Sequence, residues 1–155
     1  MATTLRRMTD EEIDSFQATT FDDYAEDRIA AGEDPVMTRE VVAQQRKDYF
    51  PEGKPAPGHL LYRVLDDGDP VGILWIGPRQ GNRPDQLWVY NIIVDEGLRG
   101  RGIGRAAMLL AEEEAKAHGA VELGLNVFGH NKIARNLYES LGYDTMAIMM
   151  RKPFA

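Results

Sequence analysis

Apolar positions along the chain change period several times, and each change marks an element. Residues 9–31 carry Ile13, Phe16, Thr20, Tyr24 and Ala25 at helical spacing. They open on Thr9-Asp10-Glu11-Glu12, a capping box in which the threonine takes a first-turn N–H and Glu12 reaches back. Pro35 separates this helix from a second one, which Thr38 is expected to cap and which carries Val41, Val42 and Gln45 to Tyr49. A proline- and glycine-rich loop follows over residues 50–58. Residues 59–65 and 70–76 then read as two strands joined across Asp67-Gly68, a strong hairpin signal. Residues 86–94 form the next strand pattern, and residues 103–118 a proline-free helix closed by Gly119. Residues 121–127 alternate with period two. Ile133, Ala134, Leu137, Tyr138 and Leu141 make one helical stripe between Asn131, an N-cap residue, and Gly142, placed at a C-cap. With short strands at residues 4–8 and 143–150, the order is β-α-α-β-β-β-α-β-α-β. That order predicts an α/β (α+β) fold with a mixed central sheet. At 155 residues, without repeats or low-complexity segments, the chain is expected to form one domain over residues 1–155.

Composition narrows the function classes. No apolar run approaches the ~20 residues of a membrane span, and the N-terminus lacks the apolar stretch of a signal peptide. The chain has no cysteine, which excludes disulfides, thiolate metal sites and a cysteine nucleophile, and fits a cytoplasmic protein. His59, His118 and His130 show no metal-ligand spacing, so no metal is expected. The net charge of −7 is uneven. Residues 1–58 hold 13 acids and 7 bases (−6), residues 59–97 hold 6 and 3 (−3), and residues 98–155 hold 6 and 8 (+2). Nucleic acid is a poor partner for such a chain. Most of the front-half acids read as solvated surface, although an acidic face also draws in a cationic partner.

The richest stretch joins the strand at residues 86–94 to the helix at 103–118. Arg99-Gly100-Arg101-Gly102-Ile103-Gly104-Arg105 lies between them. Closely spaced glycines let backbone N–H groups converge without Cβ clashes, and the helix start adds unpaired donors and the positive end of its dipole. Taken alone, such a loop suits equally a turn that merely closes a strand onto a helix. The P-loop is excluded, because Arg105-Ala106 follows Gly104 where Lys-Ser/Thr is required. A dinucleotide fingerprint is met only through Ala107, and Glu122 opens the next strand instead of ending it.

The spacing Arg99-x-x-Gly102-x-Gly104, with Val94-Asp95-Glu96-Gly97-Leu98 before it, resembles the acetyl-CoA loop of the GCN5-related N-acetyltransferase (GNAT) superfamily. Downstream, Asn131, Ala134, Leu137-Tyr138 and Gly142-Tyr143 are similar to that superfamily's second signature, in the right order. The resemblance implies the GNAT acyl-CoA N-acyltransferase fold, in which the strand before the glycine loop parts from the next one and pantetheine lies in the gap. It implies acetyl-CoA as cofactor, held by Arg99, Gly100, Arg101, Gly102, Ile103, Gly104 and Arg105 at the diphosphate. Backbone groups of Ile92, Ile93 and Val94 would meet the pantetheine, and Asn131 and Ala134 would stand on the far side.

It also implies acetyl transfer to a primary amine by direct attack, with Tyr138 as general acid for the leaving thiolate. A phenol has an unperturbed pKa of about 10 and can play that part. Many relatives carry a basic carboxylate on one of the two central strands. The corresponding positions here hold Asn91 and Asn126, so the base is expected to be a water oriented by one of them, relaying to bulk or to a distant carboxylate such as Glu26. Tyr24, Arg28 and Tyr90 are the residues expected to contact the acceptor, whether a small-molecule amine or a protein N-terminus. A non-catalytic acyl-CoA-binding module is the alternative. The last strand, residues 143–150, is where two copies would pair if the chain is a homodimer.

Overall fold

The computed structural model describes residues 2–155. Its elements are β1 Thr3–Arg7, α1 Asp10–Ala30, α2 Pro35–Tyr49, β2 Leu60–Asp66, β3 Asp69–Pro78, β4 Gln86–Val94, α3 Ile103–Ala117, β5 Glu122–Leu125 and α4 Lys132–Ser140. The sheet runs in the order β1-β2-β3-β4-β5; the first four strands are antiparallel, and β5 lies parallel to β4. β2 and β3 turn on Asp67 and Gly68, both at positive φ, as a two-residue hairpin requires.

Helices cover both faces. On one, α1 and α2 bring Phe16, Phe21, Ala25 and Val42 onto Leu61 and Trp75, with Phe50 beside them. On the other, α3 buries Ile103, Ala107, Met108, Ala111 and Ala115, a helical stripe, against Tyr62, Val64, Leu74, Ile76, Leu87 and Val89.

The capping box of α1 is formed: the Glu12 N–H donates to Thr9 Oγ1 (3.2 Å) and the Thr9 N–H to Glu12 Oε1 (2.9 Å). Arg6 forks onto the same carboxylate at 2.8 and 3.0 Å. These bonds, Arg6 first, hold the Glu12 carboxyl down at about 2.

Three expectations are corrected. The buried face of α1 is Phe16, Gln17, Phe21 and Ala25, one step round from the stripe through Thr20 and Tyr24, and Tyr24 is exposed. The cap of α2 is Asp34, whose carboxylate accepts from the Met37 N–H at 2.9 Å, with Pro35 at the first helical position. Proline suits that position because its missing N–H would be unpaired there anyway, so Thr38 falls inside the helix and is buried. The final strand is not formed: residues 143–155 belong to no helix or strand. A strand exists only through the ladder it makes with a neighbour, and this segment has none within its own chain.

β3 and β4 pair with a bulge. Trp75 stands opposite Asn91 and Ile76 opposite Val89, which leaves Tyr90 as the extra residue. β5 pairs with β4 only from Gln86 to Val89. The parting of β4 and β5 therefore starts at the bulge, and β4 continues to Val94 with no strand on its β5 side.

Candidate active site

A cleft of ≈ 180 Å³ occupies that parting. β4 contributes Tyr90, Asn91 and Ile92; the end of β5 and the turn after it contribute Asn126 and Phe128; α4 contributes Asn131, Ala134 and Tyr138. The elements that bring these side chains together follow from local chemistry. The bulge re-aims β4, Asn131 starts α4 by accepting from the Ala134 N–H (3.3 Å), and the helical repeat then carries Tyr138 to the cleft face two turns on.

Tyr138 is half-buried, and burial raises its pKa above the ordinary phenol value. Its hydroxyl makes no hydrogen bond to any other described residue, so it is a neutral donor left free. The ring stands edge-on to Tyr143 at 6.1 Å, and the Tyr143 hydroxyl donates to Glu112 Oε2 at 2.9 Å, which ties this corner to α3.

The glycine loop lies at the far end of β4. Gly100 and Gly102 are both left-handed, at φ 82° and 79°. Gly102 caps α3 without any side-chain bond, and the first bond of the helix runs from the Ala106 N–H to the Gly102 carbonyl at 3.1 Å. The N–H groups of Ile103, Gly104 and Arg105 are therefore left to an external acceptor. Arg99 donates to the Val94 carbonyl (3.1 Å) and Arg105 to Ser140 Oγ, while Arg101 is exposed. Free amides at a helix start flanked by arginines are the donor set that a diphosphate needs, so these residues fit coenzyme A.

Not every expected residue joins this cleft. Ile92 lines it, but the Ile93 side chain is exposed on the opposite face of the sheet and lines a wider groove there. Tyr90 reaches the cleft from a fixed position: its ring stacks on Trp75 (4.6 Å, 20°) and its hydroxyl donates to the Pro78 carbonyl at 2.6 Å. Tyr24 and Arg28 do not line the cleft. Arg28 forks onto Glu33 with two bonds of 2.7 Å and lies 5.4 Å from the centre of the Tyr24 ring. Glu26 is exposed on α1, also outside the lining.

Two features were missed from sequence. Phe128 lines the cleft beside Asn126, and the apolar alternation of residues 121–127 running on to an aromatic was a signal for it. His59 is buried and accepts at Nδ1 from Trp75 Nε1–H (3.0 Å), which fixes the indole on which Tyr90 stacks. Burial lowers its pKa. Nothing in the sequence marked that pair. The wider groove, ≈ 580 Å³, lies between α1 and the sheet and carries Glu11, Glu12, Asp23 and Asp95 with Arg63.

No helix among the described residues is long and apolar enough to cross a membrane, and no cluster among them could hold a metal. The profile of the Acetyltransferase (GNAT) family matches residues 10–143. The uncharacterized N-acetyltransferase YdgE of Bacillus subtilis (strain 168) is 30% identical over 98% of both chains. The uncharacterized N-acetyltransferase YycN of the same organism is 31% identical, over 98% of this chain and 99% of that one. The crystal structure of the putative acetyltransferase YycN matches with a TM-score of 0.86 over 99% of each chain. A profile spanning most of the chain, full-length relatives and a superposable fold agree with the parted strands and the glycine loop: the chain belongs to the GNAT family of acetyl-CoA-dependent N-acetyltransferases.

Proposed function

We propose that this enzyme acetylates a primary amine by direct attack, with Tyr138 as general acid and a water oriented by Asn91 or Asn126 as the first proton acceptor. The observation that carries the reading is the convergence of Tyr138, Asn91 and Asn126 on one cleft, with the Tyr138 hydroxyl unbonded.

Acetyl-CoA supplies an activated acyl group: the amine nitrogen bonds to its carbonyl carbon as the C–S bond breaks, one proton leaving nitrogen and one reaching sulfur. The amides of Ile103 to Arg105, with Arg99 and Arg101, bind the diphosphate. The β4 backbone from Ile92 to Val94 offers groups to the pantetheine, and an N–H there polarises the carbonyl. Asn131 spends its side-chain oxygen on the α4 cap and keeps its amide N–H donors for the cofactor. Tyr138 holds the proton destined for sulfur, as a phenol does at neutral pH, and burial raises its pKa further.

Neither asparagine binds a proton at neutral pH, so each acts by orienting water. The acids of the wider groove and the −6 charge of residues 1–58 favour a cationic acceptor by steering it toward that face. A panel of small amines and peptide N-termini, each mixed with acetyl-CoA and followed by thiol release, identifies the acceptor class. Asn91→Asp and Asn126→Asp test the relay: at least one is expected to add an acidic limb to the pH–rate profile. Unchanged profiles in both would refute the water relay.

A further inference from the structure

We infer that His59 is a positioning residue for acetyl transfer: through Trp75 it fixes the face of β4 that meets the amine, and it does so only while its ring is neutral. The inference rests on the reading of the β4–β5 cleft as the place of transfer.

The imidazole occupies a seat shaped for it. His59 stands just before β2 and is 7% exposed. Its Nδ1 accepts from Trp75 Nε1–H at 3.0 Å, in a buried bond. An indole N–H only donates, so Nδ1 must be bare and the ring proton must stand on Nε2. Gly77 of β3 makes the room, since a Cβ there would come within 2.5 Å of Nδ1. Glycine weakens a strand interior, and the close approach of the ring accounts for it here. The titratable side chains that face the imidazole are Tyr49 of α2, 5.6 Å away between ring centres, and Tyr90 of β4, at 5.3 Å. Neither is a carboxylate that would hold it charged, and burial moves its pKa downward.

Trp75 carries the constraint to the site. It stands opposite Asn91 in the β3–β4 ladder, and its indole stacks on Tyr90, the extra residue of the bulge. Opposite residues of an antiparallel pair share a face of the sheet. One indole therefore neighbours two cleft residues, Asn91 and Tyr90, where β4 parts from β5. The phenylalanines packed on it, Phe16, Phe21 and Phe50, carry no acceptor for its N–H. The bond to His59 is what fixes the indole in its own plane. Protonation of the imidazole sets a second N–H against the indole N–H and breaks that bond.

Two tryptophans give two indole N–H resonances, and Trp88→Phe assigns them. The Trp75 resonance is expected to move as pH falls below the ordinary histidine value of 6.5. It should stay still in His59→Asn, whose amide oxygen takes the place of Nδ1 and does not titrate. Thiol release is then followed at saturating acetyl-CoA against the concentration of the best amine of the panel. Near neutrality, His59→Leu should lower kcat/KM for the amine about tenfold, with coenzyme A affinity within twofold. His59→Asn should restore it, and Gly77→Ala should reproduce the loss with His59 intact. Below pH 6.5 the ratio of kcat/KM in His59→Asn to that of the unsubstituted enzyme should rise, a ratio from which the amine's own titration cancels. Urea midpoints check that each variant is folded under assay conditions. A Trp75 resonance that does not titrate, full kcat/KM in His59→Leu, or a His59→Asn as impaired as His59→Leu would each overturn the inference. Undiminished turnover in Tyr138→Phe beside these His59 effects would refute the general acid and leave the positioning role standing.

Discussion

The chain divides at Ala115 into two regions of very different packing. Among the described residues, every buried apolar side chain lies between Met8 and Ala115, in or beside β1–β4 and α1–α3, and residues 116–155 contribute none. Yet that sparse second region supplies Tyr138, Asn126 and Asn131 to the cleft. The frame supplies the parts that must stay rigid: the β4 backbone, the glycine loop and the start of α3. The contrast teaches a division of labour. A ligand that enters between β4 and β5 meets one wall backed by the buried apolar core and one wall with no buried residue, the kind of element expected to open locally during binding.

The largest effects should come from the frame. Leu74→Ala, at a side chain with no exposed surface, is expected to cost about 2–5 kcal/mol in urea unfolding. Leu137→Ala, in half-buried α4, should cost less than about 1 kcal/mol by the same measurement. Equal costs would erase the distinction between the regions.

Gly102→Ala should destabilise by about 1 kcal/mol, because φ 79° is left-handed, and should weaken coenzyme A binding severalfold in calorimetry. Full affinity in that variant would separate the glycine loop from the diphosphate.

Glu12→Gln, at the entry to the frame, tests a pH effect of known sign. Its carboxyl sits below the unfolded value, so the stability it adds is present above that value of 4.5 and lost as pH falls toward about 2. The side chain is 30% exposed, and solvent screening keeps the expected loss within about 1 kcal/mol. Urea midpoints of the two proteins should differ at pH 6 and converge near pH 2.

His59 gives the smallest effect. Its folded pKa is lowered, so its contribution is full above the unfolded value of 6.5 and declines as pH falls below it. His59→Gln should flatten that part of the stability–pH curve, because a neutral amide can still accept from Trp75 Nε1 without titrating.

What could be read from sequence follows the same division. The Thr9 capping box, the Asp67-Gly68 hairpin, the Asn131 cap and the glycine loop are local, since each is set by residues a few positions apart. The bulge at Tyr90 depends on how β4 meets β3. Arg28, expected at the acceptor, is held by Glu33 across the end of α1, a pairing that only the fold brings into reach. α1 carries no clear apolar stripe, so its buried face had to be decided by the sheet beneath it. Residues 143–150 have the alternation of a strand, but alternation does not supply the neighbour that makes one. In the site, the resemblance of two separated signatures to the GNAT superfamily pointed to the loop and to Tyr138. The fixing of Tyr90 by Trp75 and His59 rests on contacts between distant segments and had no sequence signal.

The central claim is that the Tyr138 hydroxyl faces the sulfur of coenzyme A in the parting of β4 and β5. It is tested most directly by Tyr138→Phe, read by turnover and calorimetry on the same preparation. Turnover is predicted to fall about 10²-fold, while coenzyme A affinity stays within twofold of the unsubstituted enzyme. Undiminished turnover, or a loss of affinity that accounts for the whole effect, would contradict it.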